Sequence, residues 1–485
     1  MKTTPAPSIS YSITIRLEVP SGGSAISDLT TTVERAGGIV TALDVAASGA
    51  DALRIDLTCA ASDTEHSARV VDSLRELKDV DVLKVSDRTF LMHLGGVIET
   101  ATKHPLRNRD DLSMIYTPGV ARICQAIVAD KEDARRLTVK RNSVAVVSDG
   151  SAVLGLGNIG PHAALPVMEG KAALFKSFAD IDAWPLVLDT QDVDQIVETV
   201  AAISPGFAGI NLEDISAPRC FEIEARLRER LDIPVFHDDQ HGTAVVVLAA
   251  LRNALAVVGK DLDKARIVLV GAGAAGTAVL KVLLHAGAVD VTVCDVQGVV
   301  HQGREGMDPS LAWIADHTNA AGRTGTLRDA LPGADVFIGV SAPNLLTAED
   351  VEAMATDSIV FALANPDPEI DPAIARRHAA VVATGRSDYP NQINNVLAFP
   401  GIFRGLLDAQ SHGISMDVLI AAAEAVAGSV APDELNANYV VPSVFHPEVH
   451  QRVAAAVRAA AVAADASQHP EQADHGGQEG QRDPR

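Results

Sequence analysis

Cysteine is scarce in this 485-residue chain: Cys59, Cys124, Cys220 and Cys294 are the four, and no two form a CxxC pair. That argues against a disulfide scaffold or a zinc knuckle and suits a reducing cytoplasm. Basic residues are also short, with 40 Lys+Arg against 63 Asp+Glu and a net charge of -23. Nucleic acid and anionic membrane both call for basic patches, so neither is an expected partner. The N-terminal MKTTPAPSIS has one lysine and no apolar core, so it does not read as a signal peptide. No apolar run reaches 18 residues without a charge; the Ala-rich stretch near Val453 is interrupted by Arg458. A soluble, cytoplasmic chain is the expectation. What is present is a globular composition, 47% hydrophobic and 21% charged, able to bury a large core. The acid excess is compatible with an enzyme that binds divalent cations.

Residues 1–90 read as a separate unit. Tyr11, Ile13, Ile15, Leu17 and Val19 alternate with polar residues, the pattern of a half-buried strand. A helix is predicted from Ala25 to Ala36, stopping at Gly37-Gly38. Strands at Ile39–Ala46 and Ala52–Cys59, a helix over Asp63–Leu77 and a strand at Val80–Val85 complete a βαββαβ order, the ferredoxin-like sandwich. In pattern and placement this unit resembles the ACT domain, a small ligand-binding regulatory module; a packing or dimerisation domain without ligand is the alternative. Residues 91–245 hold short motifs rich in Asp, Gly and Lys. Residues 246–398 alternate strands (ARIVLV, VDVTVCD, ADVFIGV, SIVFALA, AAVVATG) with helical patterns, which implies a parallel sheet covered on both faces. Residues 399–466 are helical and Ala-rich, and 467–485 have no apolar periodicity and are expected to be disordered.

G-x-G-x-x-G occurs twice, and context separates the two. Gly271, Gly273 and Gly276 follow the strand ARIVLV and open a helical run. The next strand ends in Asp295, 19 residues beyond Gly276. This is a dinucleotide arrangement, in which the backbone approaches the pyrophosphate and the acid accepts the adenine ribose hydroxyls. No Arg or Lys follows Asp295 until Arg304, which favours NAD over NADP. The first match, Gly155, Gly157 and Gly160, runs straight into Pro161 and lacks a terminal acid at the right distance. By physics alone it is a glycine-rich turn.

Two acidic pairs follow apolar, strand-like stretches: Glu213-Asp214 and Asp238-Asp239. Each alone reads as a solvated turn; both together, in one segment, point to hard-oxygen ligands for Mg²⁺ or Mn²⁺. His237 and His241 read as packing or supporting groups rather than ligands. Lys171 has apolar neighbours (Met168, Ala172, Leu174, Phe175), so desolvation is expected to lower its pKa and make it a usable base. A lysine snorkelling from an amphipathic helix is the alternative. Tyr116 precedes the turn Thr117-Pro118-Gly119, which presents its hydroxyl to a cleft or leaves it a half-buried core tyrosine.

Taken in order, YTPGVA, VVSDGSAVLGLGNIGP, MEGKAALFK, NLEDISAP, FHDDQHGTA, GAGAAG, ALANPDPE and NNVLAFPG resemble the short bacterial malic enzymes over roughly residues 90–465. The resemblance implies an α/β fold, a Rossmann-type NAD-binding domain beside an α/β substrate domain. It implies oxidative decarboxylation of (S)-malate to pyruvate and CO₂ with NAD reduced. Lys171 is then the base at the C2 hydroxyl and Tyr116 the acid that protonates C3. Glu213, Asp214 and Asp239 hold the Mg²⁺ or Mn²⁺, which stabilises the enolate formed as CO₂ leaves. Thr243 and Ser341 join the glycines and Asp295 at the cofactor, and Asn365, Asn394 and Asn395 bind substrate or nicotinamide. Asp149 supports the site, and a homodimer or higher homo-oligomer is implied, with a dimer expected. A small-molecule effector at the ACT-like unit would be a further partner. Departures are Ala152, where animal malic enzymes carry an arginine, and Asn344, where glycine is usual. Malolactic conversion to lactate, NADP preference, and a ligand sensor on a decayed enzyme scaffold are the competing readings.

Overall fold

The structure, a computed structural model, describes residues 7–22, 24–153 and 155–468. The chain divides into two compact units, Met1–Thr100 and Ala101–Arg485. In the first, strands β1 (Ser8–Pro20), β2 (Ile39–Ser48), β3 (Ala52–Ala61) and β4 (Asp81–Asp87) form an antiparallel sheet in the order β2-β3-β1-β4. Helices α1 (Ala25–Arg35) and α2 (Thr64–Arg75) connect β1 to β2 and β3 to β4. The two-residue period of β1 puts Ile13, Ile15, Leu17 and Val19 on one face, where they pack with Leu29 and Val33 of α1 and Val70, Val71 and Leu74 of α2. Tyr11, expected on that face, is exposed. The topology is the ferredoxin-like one. The unit runs past residue 90 because Arg88–His93 folds back on β1, where Thr89 Oγ1 donates to Ser10 O at 2.9 Å.

The second unit begins with two short helices, α3 (Arg109–Ile115) and α4 (Val120–Ala129), neither with a buried residue. A four-stranded parallel sheet follows, ordered β6-β5-β7-β8, from β5 (Ser143–Ser148), β6 (Asp182–Val187), β7 (Gly209–Leu212) and β8 (Val235–His237). Its helices are α5 (Gly160–Ala179), α6 (Val193–Ile203), α7 (Arg219–Arg230) and α8 (Asp238–Val258). All six residues of β5 are buried, as a strand covered on both faces requires. Helix α8 is apolar on every side because it is the central core helix, with Ala244–Leu251 all buried. Length and composition alone would let it cross a membrane; its burial accounts for the apolar character.

The third sheet is six-stranded, ordered β11-β10-β9-β12-β13-β14. Its strands are β9 (Arg266–Val270), β10 (Asp290–Asp295), β11 (Gly298–Val299), β12 (Val336–Gly339), β13 (Ile359–Ala362) and β14 (Val381–Thr384). All run parallel except β11, a short antiparallel return from β10 that the hydrophobic pattern does not reveal. Helix α9 (Ala274–His285) leaves β9 through the second glycine motif. Strand order reverses between β9 and β12, the topological switch point at which such sheets bind ligands. Helices α10 (Phe399–Ala409), α11 (Met416–Ala427) and α12 (Val449–Gln468) complete the core. Helix α12 takes in Ser467 and Gln468 of the expected tail; the rest of that tail lies outside the described residues.

Candidate active site

The parallel sheet β6-β5-β7-β8 delivers its chemistry at the strands' C-terminal ends. Asp149 follows β5, Glu213-Asp214 follows β7, and Asp238-Asp239 follows β8 and opens α8. Glu213, Asp214 and Asp239 each offer a carboxylate oxygen, all within 4.8 Å of one another. Asp214 takes a left-handed backbone, φ 54°, a conformation Asp tolerates better than most residues. Its N–H donates to Asp239 Oδ2 at 2.9 Å and its carbonyl accepts from Ala152 N at 3.0 Å. Asn211 Nδ2 orients Glu213 through Oε2 at 2.8 Å. Burial, then the charge of Asp239, pushes the Asp214 carboxyl up to about 8. Burial also raises Glu213 well above the carboxylate range, against the pull of Lys171. Asp214 Oδ2 is buried with no hydrogen-bond partner. Three crowded carboxylates and an orphaned oxygen are a hard donor set that fits Mg²⁺ or Mn²⁺.

Lys171 is buried on the inner face of α5, its Nζ 2.7 Å from Asp238 Oδ2, 2.9 Å from Glu213 Oε1 and 4.2 Å from the Phe399 ring centroid. Burial pulls its pKa down, as the local sequence suggested, but the charges and hydrogen bonds of Asp238 and Glu213 more than offset that and raise it. Asp238 Oδ2 also accepts from Asn395 Nδ2 at 3.0 Å, and Thr243 Oγ1 donates to Asn395 Oδ1 at 3.3 Å. Lys171, Asp238, Asn395 and Thr243 therefore form one connected group. Gly242 makes room for it: a Cβ there would lie 2.1 Å from Asp238 Oδ1. Asn394 instead caps the turn at Asn395–Leu397, accepting from Val396 N at 2.9 Å. Tyr116 ends α3 at 68% exposure, and among the described residues no hydrogen bond joins its hydroxyl to the Lys171 group.

The first glycine motif lies against the loop that follows β13, with a Cβ on Gly155 falling 2.2 Å from Asn365 O. Asn365 is thus brought beside the Gly155 turn, which accounts for a motif that no nucleotide explained. Asp149 is buried and pairs with Arg219 Nη1 at 2.9 Å, while Arg219 Nη2 donates to Ser151 Oγ and Ser216 Oγ at 3.0 Å. Neither spacing nor motif flags Arg219. Nor does sequence reveal Glu224 of α7, whose carboxylate gathers the β8–α8 turn. Glu224 accepts from His237 N at 3.3 Å and Gln240 Nε2 at 3.3 Å, and lies 2.7 Å from His241 Nε2 and 3.2 Å from Arg228 Nη2. Burial would raise its pKa, but His241 and Arg228 bring it down to about 2. His241 through its ring and His237 through its backbone N–H thus tie Glu224 to the turn that carries Asp238 and Asp239.

At the C-terminal edge of the six-stranded sheet, Gly271 has φ 112° and donates its N–H to Cys294 O at 2.9 Å, joining the ends of β9 and β10. A Cβ on Gly276 would lie 1.7 Å from Gly271 O, so the motif closes only with glycine. Gly273 stands at the N-terminus of α9. Ser341 follows β12 and lies against Gly271; its N–H donates to Glu369 Oε1 at 3.2 Å. Gly271, Gly273, Gly276, Asp295 and Ser341 therefore gather at one edge. Asn344 has φ 58°, the left-handed region that favours glycine, which explains why glycine would suit this position. Arg304, the first base after Asp295 in the sequence, is brought onto it by the β11 return, at 2.9 and 2.5 Å.

Comparison with known proteins places this geometry. Residues 95–228 match the malic enzyme N-terminal domain and residues 240–462 the malic enzyme NAD binding domain. An NAD-dependent malic enzyme of Geobacillus stearothermophilus is 55% identical over 449 residues, 93% of this chain and 94% of that protein. A bifunctional malic/malolactic enzyme of Bacillus subtilis is 54% identical over 369 residues, 76% of this chain and 90% of that one. The crystal structure of an NAD-dependent malic enzyme from Thermotoga maritima superposes with a TM-score of 0.74 at 47% identity, covering 77% of this chain and 99% of that one. Lys171, Glu213 and Asp214 thus lie within the first matched domain, Asp239 immediately before the second, and the dinucleotide edge within the second, and the chain belongs to the malic enzyme family.

Proposed function

We propose that the chain catalyses the NAD-dependent oxidative decarboxylation of (S)-malate to pyruvate and CO₂. The observation that carries this reading is Lys171, buried between Asp238 and Glu213 beside the three crowded carboxylates. Glu213, Asp214 and Asp239 would hold Mg²⁺ or Mn²⁺. A bound divalent cation supplies Lewis acidity toward the substrate oxygens, and its charge opposes the protonated form of Lys171. NAD supplies the two-electron acceptor. Lys171 takes the proton of the C2 hydroxyl, and Asp238 keeps its amine aimed. Tyr116 returns a proton at C3. Asn395, tied to Asp238 and Thr243, sets one wall of the malate site, with Asn394 and Asn365 beside it. Gly271, Gly273 and Gly276 admit the pyrophosphate, Ser341 lies against it, and Asp295 stands at the adenine ribose.

The four free cysteines are consistent with a reducing cytoplasm. Tyr116, Leu112, Met114 and Val128 are exposed on α3, α4 and the turn between them, an apolar face that a second copy would cover in a homodimer. The N-terminal unit, ferredoxin-like in topology, is ACT-like in role and takes a small-molecule effector. The deciding assay is NADH absorbance with malate, NAD and Mn²⁺, repeated against a panel of amino acids and central metabolites. Malate- and metal-dependent NADH supports the reading. The Bacillus subtilis relative, named a malic/malolactic enzyme, motivates the second outcome: lactate formed without free NADH, which would replace the first reading.

A further inference from the structure

Asp295 ends β10 where an acid would accept the adenine ribose hydroxyls and repel a 2′-phosphate. In the structure its carboxylate is already occupied. β11 pairs back on β10, Gly298 opposite Asp295 and Val299 opposite Cys294, and the turn at His301–Gly303 returns the chain to the same edge. Arg304 Nη1 then donates to Asp295 Oδ1 at 2.9 Å and Nη2 to Oδ2 at 2.5 Å, the two-pronged Arg–carboxylate geometry. Nη2 also donates to Gln297 Oε1 at 2.8 Å, and Gln297 N donates to Asp295 Oδ1 at 2.8 Å. The side chains of Arg304 and Asp295 are only 11% and 14% exposed, so solvent does little to screen the pair.

Charge and shape both matter at this pair. A fixed guanidinium on both carboxylate oxygens cancels much of the repulsion that Asp295 would direct at a 2′-phosphate. The same planar fork fits a phosphate as well as it fits a carboxylate. We propose that Arg304 is a masked 2′-phosphate anchor: Asp295 holds it, and the strength of that hold sets the discrimination between NAD and NADP. The proposal rests on the reading that Asp295 stands at the adenine ribose. Arg304 contributes nothing to NAD beyond bracing Asp295, and becomes a ligand for NADP once Asp295 is removed.

The test compares Asp295→Ser, Arg304→Ala and the double variant, by dissociation constants of NAD and NADP from calorimetry and by kcat/KM for each with malate and Mn²⁺. Asp295→Ser is expected to weaken NAD about tenfold and to raise kcat/KM with NADP at least about tenfold, the scale of one charge-assisted hydrogen bond. In the double variant the NADP gain disappears. An NADP gain that survives in the double variant, or no gain in Asp295→Ser, overturns the masked-anchor role. NAD affinity unchanged in Asp295→Ser overturns instead the placement of Asp295 at the ribose. Asp295→Asn, which keeps the side chain's shape, is measured alongside so that a folding defect in the serine variant does not decide the outcome.

Discussion

Lys171 Nζ and Asp238 Oδ2 meet at 2.7 Å, joining the middle of α5 to the first residue of α8 across 67 residues of sequence. Both are buried, so each is the other's charge compensation. Lys171→Ala is expected to lower kcat by about 10²–10⁴, the usual worth of a general base, while NAD still binds. The same change leaves Asp238 without its cation, a loss of about 3–5 kcal/mol of stability. Lys171→Met with Asp238→Asn removes both charges and should recover the melting temperature without recovering turnover. Near-normal turnover in Lys171→Ala would rule out the base assignment.

Asp214 makes an opposite trade. Its carboxyl is raised from 3.8 to about 8 by burial and by Asp239. The folded chain therefore holds this proton more tightly than the unfolded chain, so its contribution is fully present below 3.8 and is lost as pH rises through 8. Asp214→Asn is expected to melt higher than the parent above that pH when metal is absent, and to lose the stabilisation that Mn²⁺ confers on the parent. Calorimetry at several pH values with and without Mn²⁺ checks both; a parent that Mn²⁺ does not stabilise would count against the ligand set.

Glu224 titrates in the other direction, from 4.5 down to about 2. Its stabilising contribution is present above 4.5 and lost as pH falls through 2; the shift corresponds to about 3 kcal/mol. Glu224→Gln should flatten that acid limb in a thermal-melting series. Because Glu224 holds the turn bearing Asp239, the variant should also weaken Mn²⁺ binding several-fold by calorimetry, leaving NAD affinity unchanged.

Gly276 has no room for a side chain, with its absent Cβ 1.7 Å from Gly271 O. Gly276→Ala must displace the turn that admits the pyrophosphate. NAD affinity should fall by at least about tenfold, the loss of one or two good hydrogen bonds, with Mn²⁺ affinity retained. Loss of both would mean that the glycine supports the whole core rather than the cofactor edge.

Val128 and Met114 are 86% and 67% exposed on α4 and α3. If a second copy covers that face, the parent should scatter light as a dimer and Met114→Glu with Val128→Glu should convert it to a monomer. A dimer that survives both charges places the interface elsewhere.

Much of the fold is legible in local sequence. Alternating Ile13, Ile15, Leu17 and Val19 already specify a one-sided strand, and Gly37 ends its helix with φ 88°, as a left-handed cap requires. The second glycine motif announces a strand, a turn and a helix because only glycine lets that turn close. The acidic pairs announce carboxylates gathered at strand ends because they follow apolar strands. Periodicity and turn chemistry act over a few residues, so a linear reading reaches them.

What the sequence alone determined is therefore the element order of the N-terminal unit, the parallel strands of the third sheet other than β11, and the dinucleotide turn. The tertiary structure decided their electrostatics. Lys171 reads as desolvated among its chain neighbours, and only the packing of β7 and α8 against α5 brings the two carboxylates that raise its pKa. Arg304 reads as too remote to matter, and only the β11 return sets it on Asp295. Glu224 carries no motif, and only the contact of α7 with the β8–α8 turn makes it a clamp. Charge interactions depend on distance through space and on burial, and neither is written in local sequence.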